Sequence, residues 1–262
     1  MHSSWKGCVR ELKKIEVKIL NPGVVTEAEN MMVAMARLTQ RGHGINNMDD
    51  FLALLDKPYT ESLVDSMSNL PHPTIQKFGV INVAVVGASR RFLAQITRHQ
   101  NEVKFMSGSL QYSDYSGAAQ FVIPYEIHQY DEAHPGIHLA QKYIRDCMAD
   151  LVEYEELAKL VGRDAAGYKM PQGLRNVLVI SATPYQLKHM IRQRTCNRNT
   201  LETQFVMTKI WEQLWPLSDI FHDCGPFCTR GDCPEGKMCC GKPTGSLINP
   251  TALLETQFEL IK

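Results

Sequence analysis

The stretch FGVINVAVVGASRRFLAQITRHQNEVKFMSGSLQYS, residues 78–113, decides the fold predicted for this chain. Its first part, residues 78–86, is apolar and rich in β-branched side chains, which predicts a buried strand. Residues 90–98 predict a helix, because their apolar side chains recur with the 3.6-residue period of a helix face. A buried strand therefore leads into an amphipathic helix, and that helix carries several basic residues.

The rest of the chain mixes strands and helices in an irregular order. Further strands are predicted at residues 15–20, 121–127 (interrupted at Pro124) and 176–181. Helices are predicted at residues 26–42 with Thr26 as N-cap, 48–69 with a break at Pro58, 136–160, and 184–214. Because the order lacks strict βαβ alternation, we predict a single-domain α+β fold.

Charge and hydropathy exclude several classes of protein. Lys plus Arg and Asp plus Glu both total 28, so the formal net charge is zero, and this argues against a general binder of nucleic acid or of an anionic membrane. No apolar run approaches the roughly 20 residues of a membrane-spanning helix. Residues 1–14 lack the apolar segment of a signal peptide. We therefore expect a cytoplasmic protein.

The quoted stretch has the composition of a site for a phosphate-bearing ligand. Its cationic residues are Arg90, Arg91, Arg98, His99 and Lys104, and its polar cluster is Ser107, Ser109, Gln111, Tyr112 and Ser113. Guanidinium groups present a planar fork of donors that matches phosphate oxygens. A solvated basic helix face followed by a polar loop is the alternative interpretation.

A second basic segment, PYQLKHMIRQRTCNRNTLETQ, covers residues 184–204. On a helix, His189 shares one face with Tyr185 and Arg192, whereas Arg194 points elsewhere. Each arginine has an alternative as an exposed helix residue, and His189 has one as a core histidine.

Together these segments resemble the flavin-dependent thymidylate synthases. The resemblance consists of a strand, then S-R-R-x-x-x-Q-x-x-R-H, S-x-Q-Y-S, P-Q-G-L and L-x-H-x-x-x-x-R-x-C-N-R, in that order, over residues 72–241. It implies a central, mostly antiparallel sheet packed with long helices, in a homotetramer whose active sites are shared between subunits. It also implies reductive methylation of dUMP to dTMP, with FAD as cofactor and with methylenetetrahydrofolate and NADPH as co-substrates.

The resemblance also implies roles for individual residues. It places Gln95, Arg98, Ser109, Gln111 and Arg194 on nucleotide-binding positions. It places His72, Thr74, Arg98, His99, Gln100, Ser107, Thr183, Tyr185 and His189 on or beside flavin-binding positions. Arg194 takes the position of the arginine that orients the uracil ring and favours its ionised form, and it is therefore the predicted catalytic residue.

The chain departs from the family pattern at three cationic positions. The usual Arg-His-Arg is Arg98-His99-Gln100 here, and Gln111 and Gly167 stand where the pattern has arginines. Lys104, Lys169 and Arg175 are the nearest replacements. We consider three hypotheses: the same reaction with relocated cations, methylation of a related pyrimidine nucleotide such as UMP, and a flavin- or nucleotide-binding homologue without catalysis.

Five cysteines lie close together near the C-terminus, at Cys224, Cys228, Cys233, Cys239 and Cys240. Clustering of this kind indicates a metal more than disulfides in a cytosolic chain, but the spacing departs from the paired CxxC of a standard zinc site. We therefore predict a synthase-like domain over 1–215 and a Cys-rich extension over 216–262 packed on it, and we assign no metal ligand. A zinc-binding interaction module in the tail is the alternative.

Overall fold

The computed structural model describes residues 8–11, 15–116, 119–245 and 249–258. Its strands are β1 (Cys8–Glu11), β2 (Glu16–Ile19), β3 (Ile81–Ser89), β4 (Val103–Ser107), β5 (Gln120–Ile123) and β6 (Arg175–Ala182). Its α-helices are α1 (Pro22–Arg41), α2 (Met48–Leu55), α3 (Glu61–Ser68), α4 (Arg90–Ile96), α5 (Tyr125–Ala133), α6 (Leu139–Val161), α7 (Arg163–Ala166), α8 (Pro184–Arg194), α9 (Leu201–Leu214) and α10 (Pro250–Gln257).

Four strands form an antiparallel sheet in the order β2-β3-β6-β4, and β1 pairs with β5 in a separate parallel ribbon. One face of the sheet is buried against helices, and its alternating residues join a core that includes Ile81, Val83 and Trp211. A second, smaller core lies around Leu151 and Tyr154 of α6. The prediction of an α+β fold with a mostly antiparallel sheet is confirmed.

The first helix begins earlier than predicted. It starts at Pro22. Proline suits the first turn of a helix because its φ is fixed at a helical value. It lacks an N–H, but the N–H groups of the first turn have no intrahelical partner, so no hydrogen bond is lost. Asn21 does not cap this helix; its amide accepts from the Asn82 N–H (2.8 Å) and donates to the Val80 carbonyl (2.9 Å). Thr26 lies inside the helix, so its prediction as the N-cap was wrong.

The predicted helix over 184–214 is two helices. It ends at Arg194, and α9 begins after Thr200, whose hydroxyl caps it by accepting from the Thr203 N–H. Between them, the Asn199 amide donates to the carbonyls of Gln193 (2.8 Å) and Cys196 (3.1 Å). Such side chains compete with the helix for backbone groups, which explains the break.

The predicted strand over 121–127 ends at Pro124, because Pro124 precedes α5 and residues 125–127 are helical. The short strand β4 was not predicted. The helices at 48–69, with their break at Pro58, match α2 and α3.

The described part of the C-terminal tail packs onto the main core through Ile220, Phe221 and Leu253. The Phe221 carbonyl accepts from the Trp211 indole at 2.7 Å, and the Phe258 ring meets Phe205 edge-on, with the ring centroids 5.7 Å apart. Within the described ranges, no helix combines the length and apolar character needed to cross a membrane.

Candidate active site

Arg194, the last residue of α8, is held by three hydrogen bonds that connect both basic segments. Its Nε donates to Nε2 of His99 at 2.9 Å, and one terminal nitrogen donates to the Gln95 carbonyl at 2.9 Å. The other terminal nitrogen donates to Oδ1 of Asn199 at 3.2 Å. The guanidinium group therefore has a fixed position between the end of α4 and the loop before α9.

His99 lies beneath this guanidinium group and is neutral. Its side chain is 7% exposed. Burial, the charge of Arg194 and the nearby His189 lower its pKa from 6.5 to about 4. The His189 ring meets it edge-on at 5.7 Å between centroids, and burial with Arg192 and Arg194 also lowers the pKa of His189. Because Nε2 of His99 accepts a hydrogen bond, the proton of the neutral ring is on Nδ1.

Positive charge at this site is not neutralised by acidic side chains. Arg98 is exposed, and neither Arg98 nor Arg194 forms an ion pair with any residue in the described part of the chain. Burial and the charge of Arg98 lower the pKa of Arg194, so the two cations lie within electrostatic reach of each other. A bound anion would relieve this repulsion.

Several residues predicted to face flavin are linked through Glu102 and Lys77 at the start of α8. Thr183 caps α8 and donates to the Glu102 carboxylate at 2.9 Å. Glu102 also pairs with Lys77 at 2.5 Å, and the Lys77 ammonium lies 5.5 Å from the centre of the Tyr185 ring. Lys77 ends the turn that starts at Pro73, and this turn carries the exposed residues His72 and Thr74. Gln100 is exposed in the loop after α4.

The residues predicted to hold the nucleotide phosphate, Ser109 and Gln111, lie elsewhere, beyond the end of β4 where the predicted flavin residue Ser107 is found. Ser107 ends β4, whereas Val103, at the opposite end of the strand, is near Gln100 in sequence. Four residues of strand span roughly 13 Å. Ser109 stabilises a turn beyond Ser107 by accepting from the N–H groups of Gln111 (3.1 Å) and Tyr112 (3.3 Å). One subunit thus carries the two halves of the predicted site at opposite ends of β4.

The replacement cations differ in their surroundings. Lys169 contacts the carboxylates of Asp150 (3.8 Å) and Glu153 in α6, so its charge is already paired. Lys104 is exposed on β4. Arg175 is half-buried and lies opposite Ser89 in the sheet. Lys104 is therefore the better placed of the two lysines to meet an external phosphate.

Several residues that shape the site were not singled out from the sequence. The Thr203 hydroxyl donates to Oε1 of Gln95 at 2.9 Å, and this orients the Gln95 amide. The Glu202 carboxylate accepts from the N–H and the hydroxyl of Ser89, both at 2.6 Å, and burial raises its pKa. The signal for Asn199 and Thr203 was present in the polar run 195–204, where helix-capping residues interrupt a predicted helix.

Comparisons with known proteins agree on one family. The profile of the family described as thymidylate synthase complementing protein matches residues 24–217. Two relatives, each named flavin-dependent thymidylate synthase, come from Geobacter sulfurreducens and Thermococcus onnurineus. The first is 23% identical over 82% of this chain and 90% of its own length. The second is 28% identical over 64% of this chain and 69% of its own length.

Solved structures show the same fold. The UMP/dUMP methylase PolB from Streptomyces cacaoi, bound with 5-Br dUMP, superimposes with a TM-score of 0.63 at 16% identity, over 83% of this chain and 96% of its own. Thymidylate synthase X from Helicobacter pylori, with FAD and dUMP, superimposes with a TM-score of 0.56 at 16% identity, over 80% of this chain and 98% of its own.

Proposed function

Because this chain belongs to the family of flavin-dependent thymidylate synthases and is thus a methyltransferase, we propose that it methylates dUMP to give dTMP. FAD is the proposed cofactor, methylenetetrahydrofolate the carbon donor and NADPH the reductant. The cytoplasm is the proposed compartment. The H. pylori structure, which contains FAD and dUMP, and the S. cacaoi methylase support this choice of ligands.

The observation that carries the proposal is the hydrogen-bonded arrangement of Arg194 with neutral His99. A histidine that accepts from Nε of Arg194 fixes the plane of the guanidinium group without neutralising its charge. Carbon 5 of a uracil ring becomes nucleophilic when negative charge builds up in the ring. A fixed cation at the ring edge stabilises that charge, and preorganised groups of this type contribute about 3–4 kcal/mol.

The residues at the start of α8 fit a flavin. Tyr185 is 38% exposed and offers an aromatic face, His189 offers an imidazole, and Thr183 and Thr74 offer hydroxyl groups. The uncompensated charge of Arg98 suits the anionic groups of FAD or of the nucleotide. When bound, the flavin would supply the redox chemistry, taking electrons from the reductant and passing them on for reduction of the transferred carbon. The protein residues would orient the rings and balance charge.

A site divided between subunits would explain why Ser109 and Gln111 follow the end of β4, whereas His99, the hydrogen-bond partner of Arg194, precedes its start in one chain. The sheet face opposite the helices supports a homotetramer, because it exposes apolar side chains: Val177 on β6 is 43% exposed and Met106 on the edge strand β4 is 75% exposed. Exposed apolar residues on adjacent strands are typical of a protein–protein interface. Contact between such faces would let the Ser109 loop of one subunit approach Arg194 of another.

UMP is a second candidate substrate, because this chain lacks three cations of the family pattern. Gln100 and Gln111 are neutral, and Gly167 has no side chain, so phosphate binding rests on other groups. Each charge-assisted hydrogen bond contributes about 1.5–3 kcal/mol. Because dUMP and UMP carry the same phosphate, selection between them rests on contacts to the sugar, where they differ. The S. cacaoi methylase is named for both nucleotides.

One assay tests the proposal. Purified protein is loaded with FAD and mixed with NADPH, methylenetetrahydrofolate and either dUMP or UMP, and methylated nucleotide is quantified by chromatography. We expect dTMP that depends on all components, with slower conversion of UMP. Conversion of UMP at an equal or higher rate than dUMP would contradict dUMP as the preferred substrate. A flavin-loaded tetramer that is inert with both nucleotides would contradict the proposed reaction.

A further inference from the structure

Five thiols from two separate segments meet in one cavity that the proposed reaction does not use. Cys196 comes from the loop after α8, and the other four come from the tail beyond the matched family region, which ends at residue 217. The cavity has a volume of about 250 Å³ and is lined by Cys196, Cys228, Cys233, Cys239 and Cys240. Four of them are partly buried, and Cys239 is exposed.

Three of these sulfurs accept a backbone hydrogen bond. For Cys239 and Cys240 the donor is the N–H two residues later, at Gly241 and Lys242, at 3.4 Å in both cases. The Thr244 N–H donates to Cys228 at 3.3 Å. N–H donors around cysteine sulfurs tune iron–sulfur centres.

Disulfides do not account for this arrangement. All five cysteines have free thiols, and an odd number cannot pair completely. The five thiols nevertheless line one cavity, although they come from two separate segments of the chain. A set of convergent thiols with backbone donors is suited to a metal centre.

The spacing of the sulfurs indicates which metal centre. Zn–S bonds of about 2.3 Å in a tetrahedron place the sulfurs about 3.8 Å apart. In the described part of the chain, Glu61, Asp219 and His222 form the only group of three potential ligands whose donor atoms all lie within 4.8 Å of one another. No three of the cysteine sulfurs are that close, so they are too widely spaced for one ion. In a cluster the thiolates bind different metal atoms and stand further apart.

We propose that this chain binds an iron–sulfur cluster in the cavity between the loop after α8 and the C-terminal tail. The ligands are Cys196, Cys228, Cys233 and one thiol of the adjacent pair Cys239 and Cys240. Four cysteine thiolates are the usual ligand set of such clusters.

The centre would also hold the loop that carries Arg194. Asn197 donates to the Lys242 carbonyl at 3.0 Å, and Arg198 donates to the Met238 carbonyl. Arg194 and Asn199 line the same cavity. Metal binding would therefore fix the segment from which Asn199 orients Arg194.

The test is metal and sulfide analysis of the whole protein, purified without oxygen and reconstituted with ferrous iron and sulfide. We expect iron and acid-labile sulfide in equal amounts, about two to four of each per chain, and a Mössbauer spectrum of a cluster. This readout is independent of the flavin, whose absorption would overlap that of the cluster. Stoichiometric zinc, or a protein that retains neither iron nor sulfide after reconstitution, would overturn the proposal.

Variants assign the ligands. Cys196→Ser, Cys228→Ser, Cys233→Ser and the double variant Cys239→Ser/Cys240→Ser should each lose at least about 90% of the bound iron. Cys147→Ser is the matched control, because Cys147 is buried in α6 and a serine keeps a hydrogen-bonding group beside Tyr143. Iron retained in all four ligand variants would contradict the site. Since the proposed reaction needs no cysteine, dTMP formation by metal-free protein would leave the proposed function intact.

Discussion

Nε of Arg194 donates a 2.9 Å hydrogen bond to Nε2 of His99, so a cation is held by a ring that stays neutral. A carboxylate in the same place would form an ion pair and cancel the charge. The imidazole fixes the direction of the guanidinium group and leaves its charge available to a ligand. The relationship joins α4 to α8, and it explains why His99 is buried whereas its neighbours Arg98 and Gln100 are exposed.

Arg194→Ala should retain FAD and lose turnover. Thr183 and Tyr185, two of the residues proposed to hold the flavin, lie at the start of α8, whereas Arg194 is at its end. Loss of one preorganised group typically lowers kcat about 100- to 1,000-fold. Flavin content by absorbance and dTMP formation would be measured for the same preparation. Gln193→Ala, an exposed neighbour on the same helix, should keep normal turnover, and normal turnover of Arg194→Ala would refute the assignment.

The buried neutral His99 makes folding stability depend on pH. Its pKa falls from 6.5 to about 4 on folding, so between these values the unfolded state binds a proton that the folded state does not. Stability should therefore decrease as the pH falls from 6.5 towards 4, by at most about 3 kcal/mol from this residue.

Chemical denaturation at several pH values tests this dependence. His99→Gln should reduce the slope between pH 6.5 and 4, because glutamine can still accept from Arg194 but does not titrate. His43→Gln, at an exposed position near the end of α1, should leave the slope unchanged. A His99→Gln protein with the wild-type slope would show that other groups cause the dependence.

Ser89→Ala should destabilise the fold. The Ser89 hydroxyl caps α4 by accepting from the Phe92 N–H at 3.1 Å, and it donates to Glu202 of α9 at 2.6 Å. Its removal loses a cap and leaves part of a buried carboxylate without a donor, so we expect a loss of about 1–3 kcal/mol in the free energy of unfolding. Urea denaturation would measure it. Ser66→Ala, on the exposed side of α3, should change stability by less than about 0.5 kcal/mol.

Periodicity predicted the elements whose burial follows a regular pattern. Strands β3 and β6 and helix α6 were found because apolar side chains mark their buried faces. The break between α8 and α9 was missed because it depends on Asn199, a single polar side chain that bonds backbone carbonyls. Strand β4 was missed because its exposed residues, Lys104 and Met106, alternate with residues that are only half-buried. The difference in hydropathy between its two faces is therefore small.

The site was less predictable from the sequence than the fold. Motif spacing indicated Arg194 and His99 as site residues, but no pattern indicated that the two would form a hydrogen bond. That contact depends on how α4 and α8 pack, because the partners are 95 positions apart in the sequence. The cysteine cavity was missed for the same reason, since Cys196 looked isolated until the fold placed it beside the tail.

Gln111→Arg should strengthen nucleotide binding. The variant restores a cation at a position where the family pattern has arginine, in a turn that Ser109 already holds through two backbone donors. A charge-assisted contact with phosphate contributes about 1.5–3 kcal/mol, so the Kd for dUMP should fall at least about tenfold. Calorimetric titration would measure it, with Gln40→Arg at an exposed position near the end of α1 as the control for added charge. An unchanged Kd would place the phosphate elsewhere.

Subunit sharing predicts complementation between two inactive proteins. Arg194→Ala and Ser109→Ala each damage one half of the site, and the two halves lie at opposite ends of β4 in one chain. If each site takes Arg194 from one subunit and Ser109 from another, random mixing of the two variants gives about a quarter of the sites with both residues intact. Co-unfolding and refolding an equal mixture should therefore restore about a quarter of wild-type turnover. An equal mixture of Arg194→Ala with the double variant should restore none, because no subunit then supplies Arg194. A mixture of the single variants that is no more active than its components would show that both halves of a site come from the same chain.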